Sequence, residues 1–534
     1  MLVATLVVII IFLLLLIIYL VNNQNNSLSN NQNNKLSNNQ NNKLSNNQNN
    51  ELLNNQNDKL LITNQHNINE SYDIVIVGCG ISGAFCAARL SQFYPNLKIL
   101  VVEKNDKPGG KLMSSNVGLD VAVEYGGMRF FPNIHRYTDA LVKQLGIQTI
   151  QKDYINPKNI AYLRGKHYQI GNLKQQNSYN LNQNEKGHDP MEYVNNIINN
   201  QLSALGITWE MALYNEYLSS ISFWQFIKMH TSNEMTYFHD DVSGYNLMTD
   251  NIHCGFAMIE NVALGSEPNS PQLFIKNGYQ SVVFSLLNKV HNNVKIIMNT
   301  ELVSFENNKN HISLNLLNDN QKIQINTKKL ILTTGKNDTE KLYPWPIQIK
   351  NVFDLVIPWI ALKIFIVFNE SWWNKFNLFA GKSVTDLPLR QVWYYAKNIL
   401  MIYCDNIDTQ FWYNSLKLNN SSKIMHEQSW IDINMVDPIL SYSLLSQLSE
   451  MHNFPITLDM VKSISWKYWP EGSCLWKPCN VLSAKKILAS PLPNVYLTSS
   501  SWSVWQGWTN GSVENADDLL AEYFGVSSIL DIGI

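Results

Sequence analysis

Three glycines after an apolar segment form the first chemical pattern of this chain. Gly78, Gly80 and Gly83 follow the segment IVIV and give the spacing G-x-G-x-x-G. The β-branched segment predicts a parallel strand that is buried on both faces. In this spacing the first glycine permits a tight turn, the second lets the backbone approach a pyrophosphate, and the third lets a helix pack against the strand. The amides and the dipole at the N-terminus of that helix then hold the phosphates.

An acidic residue at the end of the next apolar segment completes the pattern. Apolar residues have helical spacing from Ser82 to about Phe93, and residues 97–102 are again mostly apolar and end at Glu103. A carboxylate about 20 residues after the last glycine binds ribose hydroxyls. A glycine-rich turn in an ordinary strand–helix–strand unit is the alternative, but strand, glycines, helix, strand and acid together predict a dinucleotide-binding site.

The composition sets limits on the class of protein. The chain has 534 residues, of which 45% are hydrophobic and 15% are charged, and this is enough for two or more domains with hydrophobic cores. A formal net charge of −2 gives no reason to expect a nucleic acid as partner. The six cysteines lack C-x-x-C spacing, so neither a metal site nor a disulfide framework is indicated.

The N-terminal region differs from the rest of the chain. Residues 1–21 carry no charged side chain, and about 20 apolar residues suffice to cross a bilayer as a helix. A cleaved signal peptide is the alternative, but a basic n-region and a small-residue cleavage site are missing, so we expect a single-pass membrane anchor of unspecified orientation. Residues 22–70 repeat octads such as SNNQNNKL. These octads offer no core for a repeat solenoid and predict a disordered Asn/Gln-rich stalk.

Two motifs after the dinucleotide unit resemble a known family. They read GGKL at residues 109–112 and EYGGMRFFP at residues 124–132. Both resemble motifs of flavin-containing amine oxidases, and the second resembles the L-amino-acid oxidase branch. The resemblance implies FAD as the cofactor, Lys111 near its phosphates and the backbone amides of the second motif along the isoalloxazine ring. It also implies that Arg129 forks onto the substrate carboxylate, as a planar guanidinium can; a structural ion pair is the alternative.

The second half of the chain continues the resemblance in the family's order. Residues 294–305 resemble the strand whose backbone contacts adenine in the family, and Val303 falls at that position. Residues 357–373 resemble the strand whose lysine holds a water against flavin N5, and Lys363 falls at that position; a lysine that snorkels at a strand end is the alternative. The segment GKSVTDLPLR, followed by a strand that ends in Tyr403, resembles venom-type and bacterial L-amino-acid oxidases. There the tyrosine hydroxyl joins the arginine on the carboxylate; a packing tyrosine is the alternative.

The segment at residues 495–520 resembles the closing motif of the family. Gly507 and Trp508 begin a helix whose N-terminus points at the pyrimidine end of the flavin, and Trp508 forms one wall of the substrate cage. Ser500 stands where the family has a glutamate that bonds the phosphate–ribityl region of FAD. A serine can supply one hydrogen bond in its place.

Taken together, the resemblance spans residues 72–520 and implies an α/β, two-domain FAD-binding flavoprotein. Its Rossmann-like FAD domain is discontinuous and is joined by a mixed-sheet substrate domain and a helical subdomain. The predicted boundaries are 71–133, 271–345 and 483–534 for the FAD domain, 134–270 for the helical subdomain and 346–482 for the substrate domain. The catalytic candidates are Arg129, Lys363, Tyr403 and Trp508. The cofactor-binding candidates are Gly78, Gly80, Ile81, Ser82, Gly83, Glu103, Lys104, Gly110, Lys111, Gly127, Met128, Arg129, Val303, Ser500, Gly507, Trp508 and Thr509.

The implied activity is FAD-dependent oxidative deamination of L-amino acids to 2-oxo acids, with ammonia and hydrogen peroxide released. Its reactants are a small amino acid or amine and molecular oxygen. A mono- or polyamine oxidase of the same superfamily is the first alternative, and it would prefer amines that lack a carboxylate. A membrane-tethered surface protein that keeps the flavoprotein fold without turnover is the second, favoured by Ser500 and by the long stalk.

Overall fold

The structure is a computed structural model that describes residues 71–115, 121–152, 156–246, 251–265, 271–418 and 428–532. The predicted membrane anchor and the predicted stalk lie outside these residues. Within the described ranges, none of the helices is long and apolar enough to span a bilayer. The anchor, the stalk and the boundaries of the predicted domains stay predictions.

The strands form two large mixed sheets, and two further pairs of short strands lie outside them. Numbered along the chain, the strands are β1 (Ser71–Val77), β2 (Ile99–Val102), β3 (Ser114–Ser115), β4 (Val123–Glu124), β5 (Thr149–Gln151), β6 (Ile160–Leu163), β7 (Lys166–Gln169), β8 (Leu273–Ile275), β9 (Val294–Ile297), β10 (Thr300–Asn307), β11 (Ile312–Asn318), β12 (Gln321–Leu332), β13 (Val356–Phe368), β14 (Lys382–Thr385), β15 (Gln391–Ala396), β16 (Ile399–Asp405), β17 (Ile431–Asp432), β18 (Val461–Trp476) and β19 (Val495–Leu497).

Helices connect these strands and cover the sheets. The α-helices are α1 (Ile81–Phe93), α2 (Arg136–Gln144), α3 (Pro190–Leu205), α4 (Glu216–Ser220), α5 (Phe223–His230), α6 (Asn233–Ser243), α7 (Cys254–Gly265), α8 (Gln280–Leu287), α9 (Lys336–Thr339), α10 (Ile347–Phe353), α11 (Asn406–Leu418), α12 (Pro438–His452), α13 (Val481–Ala489) and α14 (Thr509–Phe524). Short 3-10 helices occur at Ile170–Gln175, Trp209–Tyr214, Trp372–Phe376, Ile433–Met435, Leu458–Met460 and Ser500–Trp502.

The first sheet carries the glycine motif at the end of its central strand. Its parallel strands run in the order β19–β12–β1–β2–β9. The antiparallel strand β11 pairs with the first half of β12, and β10 follows β11. Val75 and Ile76 of β1 are fully buried, as expected for a parallel strand covered on both faces. Three separated chain segments therefore build one sheet, which confirms the predicted α/β class.

One predicted strand is interrupted in the structure. Residues 294–305 were expected to be continuous, but Asn299 adopts a left-handed φ of 52° and separates β9 from β10. Asparagine tolerates this conformation better than most residues, because its short polar side chain can bond locally. The turn sends β9 into the parallel part of the sheet and β10 into the antiparallel part.

The second sheet has two chemically different faces. Its strand order is β17–β18–β13–β16–β15–β14–β6–β7. Because successive side chains of a strand point to opposite faces, Leu362, Ile364 and Ile366 of β13 pack into a hydrophobic core with α12. Lys363 and Phe365 lie between them on the other face. That face contacts the loop that follows β4, so it is the face that can bear chemistry.

The region predicted to be helical, residues 134–270, contains α2 to α7 but also strands. The hairpin of β6 and β7 joins the second sheet through β14, and β5 pairs with β8. Arg164 and Gly165 form the two-residue turn of the hairpin, both with positive φ, as in the turns that match strand twist. The helical interpretation is therefore wrong at β5, β6 and β7, because four-residue strands carry too little periodicity to be recognised.

A buried arginine joins α6 to the second sheet. The guanidinium of Arg390 lies 2.9 Å from Asp241, 3.7 Å from Asp240 and 3.6 Å from Asp408. The arginine side chain is almost fully buried, so its loss would leave three carboxylates without their cation. Removal of one partner from a buried ionic group is far more costly than removal of an exposed one.

We expect Arg390→Ala to lower the free energy of unfolding by about 3–5 kcal/mol, because the remaining carboxylates become uncompensated. The matched control is Lys328→Ala, which breaks the exposed ion pair with Asp73 and should cost less than about 1 kcal/mol. Chemical denaturation of both variants and the parent measures the difference. Equal losses in the two variants would contradict the structural role of Arg390.

Candidate active site

The helix α1 lies directly against the turn that follows β1. A Cβ atom on Gly83 would lie 2.0 Å from the carbonyl oxygen of Gly78, so the helix rests directly on the turn. A Cβ atom on Gly110 would lie 3.1 Å from the Cα of Gly80. Two backbone segments therefore face each other without side chains, and this leaves a narrow, amide-lined cradle at the N-terminus of α1.

Glu103 lies beside this cradle, immediately after β2. Its buried carboxylate accepts hydrogen bonds from the backbone N–H groups of Cys79 at 2.7 Å and Asn105 at 2.9 Å. These bonds hold the carboxylate next to the glycine turn, where the sequence predicted a ribose-binding acid. The Nζ of the neighbouring Lys104 lies 2.8 Å from Asp338, with which it forms an exposed ion pair.

A second helix N-terminus lies next to the first. The hydroxyl of Ser82, at the start of α1, donates to the carbonyl oxygen of Ser512 in α14 at 3.0 Å. Neither α1 nor α14 has a side-chain cap or an acidic residue in its first turn. Their first amides are therefore available to an anion or a carbonyl group. Ile81 and Thr509, the first residues of the two helices, were both cofactor-binding candidates.

Val303 lies at an irregularity of the first sheet. The register of β10 and β11 skips this residue, with Leu302 opposite Leu316 and Ser304 opposite Asn315. A residue skipped in a β-bulge leaves its backbone groups outside the ladder. The backbone of Val303 is thus free of ladder pairing at the position predicted to contact adenine.

Strand pairing brings two catalytic candidates together. Lys363 of β13 lies directly opposite Tyr403 of β16, and its Nζ is 5.1 Å from the centroid of the tyrosine ring. The same Nζ donates to the carbonyl oxygens of Glu124 at 3.1 Å and Gly126 at 2.5 Å. Burial lowers the pKa of Lys363 to about 7 against the opposing charge of Glu124. This amine therefore loses its charge near neutral pH.

Arg129 lies between two indole rings at the same face. Its guanidinium carbon is 5.0 Å from the centroid of Trp393 and 5.8 Å from that of Trp508. Burial raises the pKa of Tyr403 well above its ordinary value, and the charge of Arg129 opposes that rise. Trp393 of β15 and Tyr403 of β16 share one face of the sheet, so the guanidinium lies on the same face as the phenol, which stays protonated as a hydrogen-bond donor. Met128 and Gly127 precede the arginine in the same loop, and Met128 is buried.

Trp508 connects this cluster to α7. Its ring lies 4.5 Å from His135 and 5.7 Å from Phe131, measured between centroids. Its Nε1 donates to both carboxylate oxygens of Glu260, at 3.1 and 3.0 Å. Gly507, just before it, has a φ of 83°, which allows the chain to turn into α14. Glu260 was not a sequence candidate, because an acidic residue in a helix has no local signature.

Comparisons with known proteins identify the family. The family described as flavin containing amine oxidoreductase matches residues 81–518. This chain belongs to that family. An uncharacterized protein of Acanthamoeba polyphaga mimivirus is 30% identical to this flavin amine oxidoreductase over 86% of this chain and 95% of its own length. A putative L-amino-acid oxidase of Bacillus subtilis is 22% identical over 83% of this chain and 92% of its own length.

Solved structures agree on the fold. A redesigned putrescine oxidase superposes on this flavin amine oxidoreductase with a TM-score of 0.64 at 14% identity, and the match covers 86% of this chain and 99% of that one. This likeness confirms the predicted fold class. Family membership also confirms the resemblance inferred from the sequence motifs and implies FAD as the cofactor.

The residues of this flavin amine oxidoreductase fit FAD. The glycine-lined cradle and the uncapped N-terminus of α1 suit a pyrophosphate, and the carboxylate of Glu103 suits a ribose. The uncapped N-terminus of α14 suits the carbonyl end of an isoalloxazine ring. When bound, FAD supplies a two-electron acceptor.

An acidic residue that the sequence did not single out lies next to the predicted phosphate-binding residues. Glu471 of β18 accepts hydrogen bonds from the backbone amides of Lys336 at 2.9 Å and Asn337 at 2.8 Å, and from the hydroxyl of Ser501 at 2.9 Å. Its carboxylate is also 3.6 Å from the Nζ of Lys111. The buried carboxylate of Glu471 thus contacts Ser501, the residue after Ser500. The position of Ser500 is the one at which the family has a glutamate.

Glu103→Gln should weaken FAD binding at least about tenfold, because a charge-assisted hydrogen bond to the ribose is replaced by a neutral one. The dissociation constant follows from fluorescence titration of the apoprotein with FAD. Asp73→Asn, a similar exchange at the start of the same sheet, is the control and should leave it unchanged. Equal affinity in the Glu103→Gln variant and the parent would contradict the assignment.

Lys363 should make stability depend on pH. Its folded pKa of about 7 lies below the ordinary lysine pKa of 10.5, so the unfolded chain binds more protons between these two values. This residue therefore makes the free energy of unfolding rise from pH 7 to pH 10.5, by at most about 1.4 kcal/mol per pH unit. Lys363→Met should remove that contribution, and the stability of the parent relative to the variant should increase with pH.

Urea unfolding of the parent and Lys363→Met at several pH values between 7 and 10 measures this difference. The same exchange at the exposed Lys328 is the matched control. A constant difference between the parent and Lys363→Met across this range would show that burial does not perturb the amine.

Proposed function

We propose that this chain catalyses the FAD-dependent oxidative deamination of L-amino acids. One amino acid, one oxygen molecule and one water molecule give a 2-oxo acid, ammonia and hydrogen peroxide. The observation that supports this proposal best is the position of Arg129 and Tyr403. The guanidinium of Arg129 lies over the ring of Trp393, and Trp393 of β15 shares one face of the second sheet with Tyr403 of β16, so the guanidinium and the phenol lie on that face. Both are hydrogen-bond donors, and together they suit a carboxylate.

The guanidinium of Arg129 lies close to two aromatic rings. The rings of Trp393 and Trp508 lie over it and favour it through cation–π attraction. Only 7% of Arg129 is exposed, so few water molecules compete with the guanidinium for a bound carboxylate. Arg129 and Tyr403 would therefore fix the carboxylate end of the substrate and leave its α-carbon to be oriented toward the FAD cradle.

Lys363 would hold the loop that carries Arg129 in place. Its Nζ holds the carbonyl oxygens of Glu124 and Gly126, which belong to the loop that leads to Arg129. A lysine whose pKa is about 7 can also exchange a proton with a water molecule at neutral pH. After oxidation, water adds to the imine carbon of the substrate and ammonia leaves.

A mono- or polyamine oxidase is the second candidate. The likeness to putrescine oxidase structures and the carboxylate of Glu260 near Trp508 favour a substrate with an amino group away from the oxidised carbon. In that case Arg129 would serve structure rather than substrate binding. Comparison of L-amino acids with amines that lack the carboxylate distinguishes the two activities. A flavin-free purified protein would favour the non-catalytic surface protein instead.

Residues 1–21 would anchor the enzyme to a membrane, with residues 22–70 as a spacer. Their composition supports this proposal, since the first segment has no charge and the second lacks apolar residues to form a core. Full-length protein should remain in the membrane fraction after alkaline carbonate washing. A chain that begins at Ser71 should leave that fraction, and release of both proteins would contradict the anchor.

Arg129→Ala should reduce kcat/KM for an L-amino acid by roughly 30-fold or more, or about 2 kcal/mol, chiefly through KM, because a charge-assisted pair with the carboxylate is lost. Tyr403→Phe should reduce it by about tenfold or less, since one hydrogen bond is lost. Steady-state peroxide release measures both. Arg164→Ala, which breaks an exposed ion pair with Glu234, is the control. Arg129 and Tyr403 together form the proposed carboxylate clamp, and unchanged kinetics in Arg129→Ala would contradict that assignment.

A further inference from the structure

Glu260 is a carboxylate that has no counter-ion among the residues that the structure describes. It lies on α7 and is half-buried. Its two oxygens share one donor, the Nε1 of Trp508, and within the part of the chain that the structure describes this indole is its sole hydrogen-bonding or ionic partner. A carboxylate offers about four acceptor positions. Most of the binding capacity of Glu260 is therefore unused.

The indole that binds Glu260 has aromatic neighbours. Trp508 packs against Phe131 and His135, and burial lowers the pKa of His135 to about 3, so that its ring is neutral. Burial also raises the pKa of Glu260 to about 7, as expected for a carboxyl group without a nearby cation. Aromatic faces attract cations. This environment suits a positively charged group that comes from outside the protein.

The same indole borders the carboxylate clamp. Arg129 lies 5.8 Å from the centroid of the Trp508 ring, and Glu260 lies at the N–H edge of that ring. A substrate carboxylate on Arg129 and a cationic group on Glu260 would thus be separated by little more than one indole. An aliphatic side chain of four methylenes and an ammonium spans roughly 6 Å at the bond lengths of a carbon chain, which matches that scale.

We propose that Glu260 binds the cationic end of the substrate side chain, so that the preferred substrates are L-amino acids with a terminal ammonium or guanidinium group. This inference rests on the proposed amino-acid oxidase activity and names its substrate class. Trp508 orients the carboxylate through its N–H, and the substrate supplies the missing positive charge. The two ends of one substrate are then held by opposite charges, one over the face of Trp508 and one at its N–H edge.

Lys382 is the residue that could favour the opposite substrate class. It lies on β14 opposite Trp393, the residue whose ring Arg129 covers, and there it could attract an acidic side chain. Its Nζ, however, donates to the carbonyl oxygen of Ser243 at 2.6 Å and lies 5.1 Å from the ring of Tyr245. The amine is already engaged by the protein, whereas the carboxylate of Glu260 has a single indole donor.

The test compares two substrates that differ only in charge at the end of the side chain. Lysine and norleucine have aliphatic chains of similar length, but norleucine lacks the ammonium group. In the FAD-loaded parent, kcat/KM for lysine should exceed that for norleucine at least about tenfold, as expected for a charge-assisted hydrogen bond. Glu260→Gln keeps the size and the acceptor for Trp508, and it should bring the ratio close to one by a selective loss of kcat/KM for lysine.

Glu514→Gln is the matched control. Glu514 is another half-buried glutamate, it accepts one hydrogen bond from a neutral side chain, Asn510, at 3.1 Å, and burial raises its pKa to about 7 as well. This variant should keep the ratio of the parent. Loss of lysine preference in both variants would overturn the assignment to Glu260.

A binding measurement without turnover supports the kinetic test. 6-Aminohexanoate and hexanoate are lysine and norleucine without the α-amine, so the proposed reaction cannot occur at their α-carbon. Calorimetry on the FAD-loaded parent should give at least about tenfold tighter binding of 6-aminohexanoate, and Glu260→Gln should bind both ligands equally. Equal binding of the two ligands by the parent would overturn the proposal.

The outcomes separate this inference from the proposed function. Norleucine turnover that equals or exceeds lysine turnover, or a preference for glutamate over both, overturns the role of Glu260 and leaves the amino-acid oxidase intact. Turnover of cadaverine, which is lysine without its carboxylate, with neither lysine nor norleucine oxidised, overturns the proposed function itself.

Discussion

The contact between Lys363 and the carbonyl oxygens of Glu124 and Gly126 is the interaction on which the site depends. It joins the second sheet to the loop that carries Arg129, so the two halves of the predicted carboxylate clamp have a fixed relation. A buried amine is costly unless it is bonded, and the two carbonyl groups offset part of that cost. The remainder is visible in the pKa of Lys363, which burial lowers to about 7.

Strand register makes this contact specific. Lys363 lies opposite Tyr403, and the residues on either side of it, Leu362 and Ile364, belong to the hydrophobic core on the other face. A slip of one residue would bury the lysine in that core and turn a leucine toward the loop that carries Arg129. Burial of Leu362 and Ile364 therefore selects the register that also places the amine of Lys363 beside the phenol of Tyr403. The hydrophobic packing on one face of the sheet thus determines which polar groups meet on the other face.

The local sequence pattern predicts those helices and strands whose apolar residues have a clear period. It does not predict features that depend on contacts between distant parts of the chain. The glycine turn and Glu103 could be recognised because the glycine spacing and an acid about 20 residues later have direct physical meaning, whereas the segment of β13 was recognised by its resemblance to the family. The hairpin of β6 and β7 was missed because its strands are too short to show a period. Glu260 and Glu471 were missed for another reason, since a glutamate acquires its role only from the indole or the amides that meet it in the folded chain.

The central claim is that Arg129 and Tyr403 hold a carboxylate with the substrate α-carbon toward the flavin. An experimental structure of the FAD-loaded protein with an unreactive amino-acid analogue tests it most directly. The expected result is a carboxylate within hydrogen-bonding distance, about 2.7–3.1 Å, of both the guanidinium and the phenol. A ligand whose carboxylate contacts neither group, or two side chains turned away from the isoalloxazine ring, would contradict the claim.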